Sequence, residues 1–174
     1  MKIVKRKINN CLILKFEKFE DHRGKYIETF NKKNYKNLNI DFVQDDFSYS
    51  KKNVLRGFHG DKGTFKLFKC IKGKVQFAVI NNDERSNFYK KNFTMILSED
   101  DCYQVLVPPK HGVAHLILSS KAILHYKQST YYKDFKQFTI NYKSKCLSFK
   151  WKSKKLLHPQ ETVVALFFNI NFIY

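Results

Sequence analysis

Three stretches of this chain carry side chains that can move protons or hold anions, at spacings an ordinary strand does not need. The first runs Asp21-His-Arg-Gly-Lys-Tyr-Ile-Glu28. The second, Phe42-Val-Gln-Asp-Asp-Phe-Ser48, continues through Val54-Leu-Arg-Gly-Phe-His-Gly-Asp61 to Lys66. The third, Pro108-Pro-Lys-His-Gly-Val-Ala-His115, is followed by His125-Tyr-Lys-Gln-Ser-Thr-Tyr-Tyr132. Lys66 is the most informative single residue. In an extended segment its side chain shares a face with Phe68 and Cys70, and an ammonium on an apolar face is costly unless an anion or a developing negative charge meets it. The bland alternative is a stem that snorkels at a sheet edge. His59 follows Arg56-Gly57, where glycine permits a tight backbone turn, and it suits either a structural hydrogen bond or a general base. Tyr126, Tyr131 and Tyr132 suit sheet aromatics. A tyrosine aimed into a polar barrel mouth can also donate a proton at a carbon centre.

The elements that must position these groups read as short strands. Lys66–Ile71, Lys74–Ile80, Gln104–Val107, Leu116–Leu118 and Ala122–Gln128 are rich in Val, Ile, Leu, Phe and Tyr, and turn or breaker residues bound each of them. In Lys74–Ile80 the residues Val75, Phe77 and Val79 alternate with Gln76, the pattern of a half-buried strand. Lys72-Gly73 reads as a hairpin turn, and Asn31–Asn37 as one short helix. Many short strands without helical crossovers predict an all-β antiparallel sandwich or jelly roll. With no repeat or linker, residues 1–174 read as one domain, the part from about Leu147 onward being the hardest to place.

A chain of 174 residues can bury a proper core without disulfide or metal staples. Its formal charge of +18 arises from 33 basic residues against 15 acidic ones, with a dense run at Lys143, Lys145, Lys150, Lys152, Lys154 and Lys155. Counterion release rewards any lysine-rich face on nucleic acid. Yet lysine replaces arginine nearly everywhere and asparagine is abundant, the bias of an AT-rich genome, whereas base and phosphate readers lean on arginine. The reading is no nucleic acid. Cys11, Cys70, Cys102 and Cys146 lie far apart with no C-x-x-C pair, which fits neither zinc nor a redox motif. No apolar stretch approaches the roughly 18 residues of a membrane helix, and Cys11–Leu14 is too short for a signal-peptide core. The expectation is a cytoplasmic protein.

Taken together the clusters resemble the dTDP-4-dehydrorhamnose 3,5-epimerase family, jelly-roll cupins that act on sugar nucleotides. The motifs that carry the likeness are Asp-x-Arg-Gly-x-Tyr-x-Glu, Phe-Val-Gln-Asp, Val-Leu-Arg-Gly-x-His, Lys-Leu-x-x-x-x-x-Gly-x-Val, Pro-x-x-Gly-x-Ala-His and Tyr-Lys-x-x-x-Tyr-Tyr, in that order from about Phe19 to Tyr132. The resemblance implies a cupin jelly roll with a few short helices. It implies a cofactor-independent epimerase that inverts C3, with or without C5, of a nucleotide-linked 4-keto-6-deoxy sugar by proton exchange through an enolate. His59 then corresponds to the base, Tyr126 to the opposing acid, and Lys66 to the group that stabilises the oxygen on C4. His115 is similar to the second active-site histidine. Arg23 and Arg56 match the residues that grip the diphosphate; Glu28, Gln44 and Tyr132 match the nucleotide and sugar surroundings. The Arg23 segment implies a homodimer, because in the family it crosses into a neighbouring subunit.

Departures from the pattern bear on the substrate. His59-Gly60-Asp61 stands where His-Tyr-Gln is usual, and Gln44-Asp45-Asp46-Phe47 where Gln-Asp-Asn-His is usual. These look like a sub-branch that acts on GDP-linked 4-keto-6-deoxy heptoses for capsule or lipopolysaccharide. Only Asp134 and Glu161 are carboxylates beyond Asp101, so Glu161 is the candidate partner that orients His59. No metal is expected. A metal cupin offers two histidines and a glutamate in its first half, and here a lysine stands where the glutamate would be, repelling a divalent cation. A 3,4-ketoisomerase on the same scaffold and a non-catalytic basic binding module remain alternatives.

Overall fold

The computed structural model of the chain describes residues 2–157. Its strands are β1 (Lys2–Arg6), β2 (Leu12–Lys15), β3 (Phe19–Asp21), β4 (Gly24–Tyr26), β5 (Gln44–Lys51), β6 (Leu55–Gly60), β7 (Lys66–Lys72), β8 (Lys74–Asn81), β9 (Asn92–Ser98), β10 (Tyr103–Val107), β11 (His111–Ile117), β12 (Lys121–Gln128) and β13 (Phe138–Thr139). One sheet has the order β1-β2-β10-β7-β12-β5 and a second the order β13-β6-β11-β8-β9; β3 and β4 form a separate hairpin. Every pairing between these strands is antiparallel. This is the all-β class the strand pattern predicts. A short α1 (Lys32–Tyr35) is capped by Asn31, whose side chain accepts from the Lys33 amide at 3.1 Å, and a single 3-10 turn over Lys36–Leu38 follows it. Together they match the helix expected over Asn31–Asn37.

Alternation decides the core. Val75, Phe77 and Val79 of β8 face Phe68 and Cys70 of β7, Val105 and Val107 of β10, and Leu124 of β12 across the gap between the sheets. The outer face of the second sheet is covered by Ile140, Leu147, Phe149 and Trp151, packed on Leu55, Phe58, Ala78 and Leu116. The Trp151 indole N–H donates to the Tyr142 carbonyl at 3.1 Å. Thus the segment after Leu147 packs on a sheet as far as Leu157, and Val163–Tyr174 lies outside the described residues.

One expectation is corrected. Gly73 makes a turn, with φ of +77°, but β7 and β8 are not hairpin partners: they belong to different sheets. Cys70 and Val75 both point into the one core, so the two strands stack face to face instead of pairing edge to edge. Among the described residues no helix is long and apolar enough to cross a membrane.

Candidate active site

The polar end of the inter-sheet space is built by register. β5 pairs with β12 so that Gln44 lies opposite Gln128, Asp46 opposite Tyr126, Ser48 opposite Leu124 and Ser50 opposite Ala122. Leu124 and Ala122 belong to the core between the sheets. Their partners on β5 therefore look inward too, and edge strand β5 brings a polar row to a place where other strands bring valine and phenylalanine. On the second sheet His59 lies opposite Val113, and Arg56 opposite His115. Val113 is again a core residue, so this set also faces inward.

Arg56 and His59 share a face because of a β-bulge. Three residue steps along β6 match two along β11, and the extra residue re-aims His59, as bulges beside active sites do. Gly57 makes this possible. It has φ of +102°, and a Cβ there would stand 2.2 Å from the Val113 carbonyl oxygen.

The groups at this end are coupled. Arg56 Nε donates to Ser50 Oγ at 2.8 Å, joining the two sheets, and His115 Nε2 lies 3.4 Å from Ser48 Oγ. Burial, then the neighbouring Arg56 and His59, lowers the His115 pKa to about 3, so this imidazole is neutral at physiological pH. Tyr126 packs on Phe68 with ring centroids 5.2 Å apart. Its hydroxyl is pushed up to about 12 by burial, then by Asp46 and Tyr132, which keeps it a protonated phenol. Asp46 accepts from the Gln44 amide at 2.9 Å and from the Gln128 amide at 2.7 Å. His59 Nδ1 lies 3.3 Å from Thr139 Oγ1, its register partner on β13.

Lys66 does share its face with Phe68 and Cys70, and not at a sheet edge: β7 lies between β10 and β12. The anion it needs is Asp61, whose Oδ2 is 3.0 Å from Nζ. Burial pushes the Asp61 carboxyl up, but the Lys66 charge and hydrogen bonds led by that from Thr64 outweigh it and hold the pKa below the usual carboxylate value. Lys66 pairs with Gln128 and Phe68 with Tyr126, which makes Lys66 and Tyr126 diagonal neighbours with Cα atoms roughly 7–8 Å apart. His59 stands on the facing sheet, across a gap of about 10 Å typical of stacked sheets. The arrangement can take a proton from carbon on one side, return one from the other, and stabilise an oxyanion.

The remaining expected residues fall elsewhere. Gln44 borders the inner row, accepting from the Tyr132 backbone N–H at 2.9 Å. Glu28 accepts from the side-chain amides of Asn31 and Asn34 beside α1. Arg23 sits on the β3–β4 hairpin with its guanidinium on Asp21 at 2.6 Å and is 79% exposed. Glu161 lies outside the described residues. Sequence reasoning missed Asp46, Ser48, Ser50, Asp61 and Gln128 as site residues. For β5 a signal existed, since 44, 46, 48 and 50 are all polar with the period of a strand. Among the described residues no group of three or more His, Cys, Asp and Glu could hold a metal ion.

The family model for dTDP-4-dehydrorhamnose 3,5-epimerase matches residues 5–165. The dTDP-4-dehydrorhamnose 3,5-epimerase of Escherichia coli K12 is 30% identical over 169 residues, covering 92% of this chain and 91% of that protein. The crystal structure of the enzyme of that name from Elizabethkingia anophelis NUHP1 is 31% identical with a TM-score of 0.83, covering 92% of both chains. The dTDP-6-deoxy-D-glucose-3,5-epimerase of Legionella pneumophila Philadelphia 1, solved in complex with dTDP-4-keto-L-rhamnose, has a TM-score of 0.87 at 27% identity, covering 94% of this chain and 90% of that one.

Proposed function

This chain belongs to the dTDP-4-dehydrorhamnose 3,5-epimerase family, a family of isomerases, and from that premise we propose that it inverts C3, with or without C5, of a nucleotide-linked 4-keto-6-deoxy sugar. The protons on C3 and C5 are acidified by the neighbouring C4 carbonyl, because the carbanion delocalises as an enolate. His59 takes the proton on one face, and Tyr126 supplies one on the other, which inverts the centre. The Lys66 ammonium meets the charge that develops on the C4 oxygen. Neutral His115 serves as a hydrogen-bonding group to the sugar or the enolate oxygen and does not compete as a cation. The observation that carries the reading is the inward convergence of His59, Tyr126 and Lys66 from two facing sheets.

The finer assignments form part of the same proposal. Arg56 and Arg23 bind the diphosphate, Glu28, Gln44 and Tyr132 border the sugar nucleotide, and Glu161 is the candidate carboxylate partner for His59. Arg23 acts by reaching a neighbouring copy in a homodimer. Its hairpin exposes Phe19 and Tyr26, 60% and 68% accessible, as a segment does that is completed by a second chain. The protein works in the cytoplasm, where nucleotide sugars are made. The Legionella complex favours a dTDP-linked sugar. The departures at Gly60-Asp61 and Asp46-Phe47 favour a second reading, a GDP-linked 4-keto-6-deoxy heptose.

Incubation in deuterium oxide with dTDP-linked 4-keto-6-deoxyhexose and with the GDP-linked heptose tests all of this. The expected result is mass gain at C3 or C5 with one of them, abolished in His59→Asn. No label uptake from either sugar, or a carbonyl moved to C3, would overturn the assignment. Sedimentation analysis of the purified chain reports the dimer.

A further inference from the structure

We propose that Asp61 is the positioning residue for the Lys66 ammonium, pinning it where the C4 oxygen of the bound keto sugar gathers negative charge; this rests on the epimerase reading above. Lys66 is the first residue of β7 and Asp61 follows the last residue of β6, so the short loop between strands of the two sheets brings them together. Both side chains are nearly out of solvent, 12% and 1% exposed, with Nζ 3.0 Å from Oδ2.

The carboxylate is itself immobilised. Oδ1 accepts from the backbone N–H groups of Gly63 at 3.0 Å and Thr64 at 2.7 Å, while Oδ2 accepts from the Gln137 amide at 3.2 Å. Gln137 immediately precedes β13, whose Thr139 meets His59. One strap therefore braces both the group that holds Lys66 and the proposed base.

This division of labour between the two carboxylate oxygens argues for more than a loop staple. Oδ1 satisfies the loop backbone, and Oδ2 meets the cation beside the Gln137 amide. A lysine stem has four rotatable carbons and would otherwise spread its ammonium over many positions. An ammonium has three donors, so one bond to Asp61 leaves others for a substrate oxygen. The pairing also offsets the cost of burying each charge alone.

The test compares wild type, Asp61→Asn, Lys66→Met and the double variant. Asparagine keeps an oxygen for the loop amides but removes the anion. Isotope wash-in and turnover are followed with whichever keto sugar the wild type accepts, alongside melting temperature. Asp61→Asn is expected to lower kcat on the order of 10²-fold, comparable to loss of an oxyanion donor, with KM little changed. The double variant is expected to be no slower than Lys66→Met. A kcat retained in Asp61→Asn, or losses that multiply in the double variant, would overturn the proposal. Should Asp61→Asn not fold, Asp61→Glu keeps the charge but displaces the ammonium. It is expected to lose kcat while retaining dTDP or GDP binding, and unchanged kcat would count against the proposal.

A second readout does not depend on turnover. The proton–nitrogen NMR signal of the Lys66 ammonium, assigned by its loss in Lys66→Met, is expected to shift or broaden away in Asp61→Asn. A signal that stays put rejects the positioning role even if no sugar is turned over, while absence of turnover in the wild type rejects the epimerase reading separately.

Discussion

Tyr126 and Asp46 are direct cross-strand partners on the inner face of β12 and β5, so the phenol stands beside a fixed carboxylate. The Gln44 and Gln128 amides, themselves cross-strand partners, both donate to that carboxylate. Its charge opposes phenolate formation and is, after burial, the leading cause of the Tyr126 pKa being pushed up to about 12. A proton donor that must not ionise prematurely gains from such a neighbour.

Asp46→Asn should therefore move the Tyr126 titration down while leaving the strand register intact. The change is read as phenolate absorbance against pH, with Tyr126→Phe as the blank. In turnover, the alkaline fall of kcat should begin at lower pH. An unmoved titration would show that burial alone sets the Tyr126 value.

Removing the base and removing the acid should give different isotope patterns. With Tyr126→Phe, His59 still abstracts a proton and can return a deuteron to the same face. Label then enters the substrate while inversion falls by roughly 10²–10⁴-fold, the usual range for general acid catalysis. With His59→Asn neither exchange nor inversion should occur. Mass spectrometry and NMR of recovered sugar separate the two, and equal loss of exchange in both variants would contradict the assigned roles.

His115 makes a prediction about stability and pH. Its folded-state pKa is lowered to about 3, whereas an unfolded histidine titrates near its ordinary value of about 6.5. Between these values the unfolded chain binds a proton that the folded one refuses. Stability should thus be whole above about pH 6.5 and fall as the pH drops, by an amount on the order of a few kcal/mol. His111, also lowered by burial, acts with the same sign. Asp61 acts only lower, because its carboxyl is held below the ordinary value. Urea unfolding at pH 7, 5.5 and 4.5 should show a shallower decline for His115→Asn than for wild type; parallel curves would refute the account.

Gly57→Ala should cost both stability and activity. The residue has a positive φ, and the added carbon would run into the Val113 carbonyl on the paired strand, which cannot step aside alone. A loss of at least about 2 kcal/mol is expected from strain and displaced pairing, with His59 re-aimed and turnover reduced further than the stability loss explains. Denaturant melts and turnover on the folded fraction check both halves. A wild-type melt would mean that the bulge tolerates a side chain.

Which strands could be read beforehand follows from what their inner faces carry. β8 was legible because Val75, Phe77 and Val79 alternate toward a dry core. β5 was not, because its inward row is Gln44, Asp46, Ser48 and Ser50 while Phe47 and Tyr49 point outward, 67% and 57% exposed. A strand that lines a polar site keeps the period of a strand but inverts which face is buried, so its alternation does not point to a core. β11 is longer than its sequence suggests for a related reason. Only Leu116–Leu118 has the composition of a strand, because Pro108-Pro-Lys-His-Gly resembles a turn, yet the ladder starts at His111.

By itself the amino-acid order determined the antiparallel all-β class and the presence of an imidazole, a phenol and an ammonium at telling intervals. Those depend on local periodicity and on side-chain chemistry, which neighbours along the chain suffice to express. Only the tertiary structure decided that Arg56 and His59 point the same way, that Tyr126 stands against Asp46, and that Lys66 is met by Asp61. Side-chain direction in a sheet depends on register and bulges, and those are settled by pairing with strands tens of residues away.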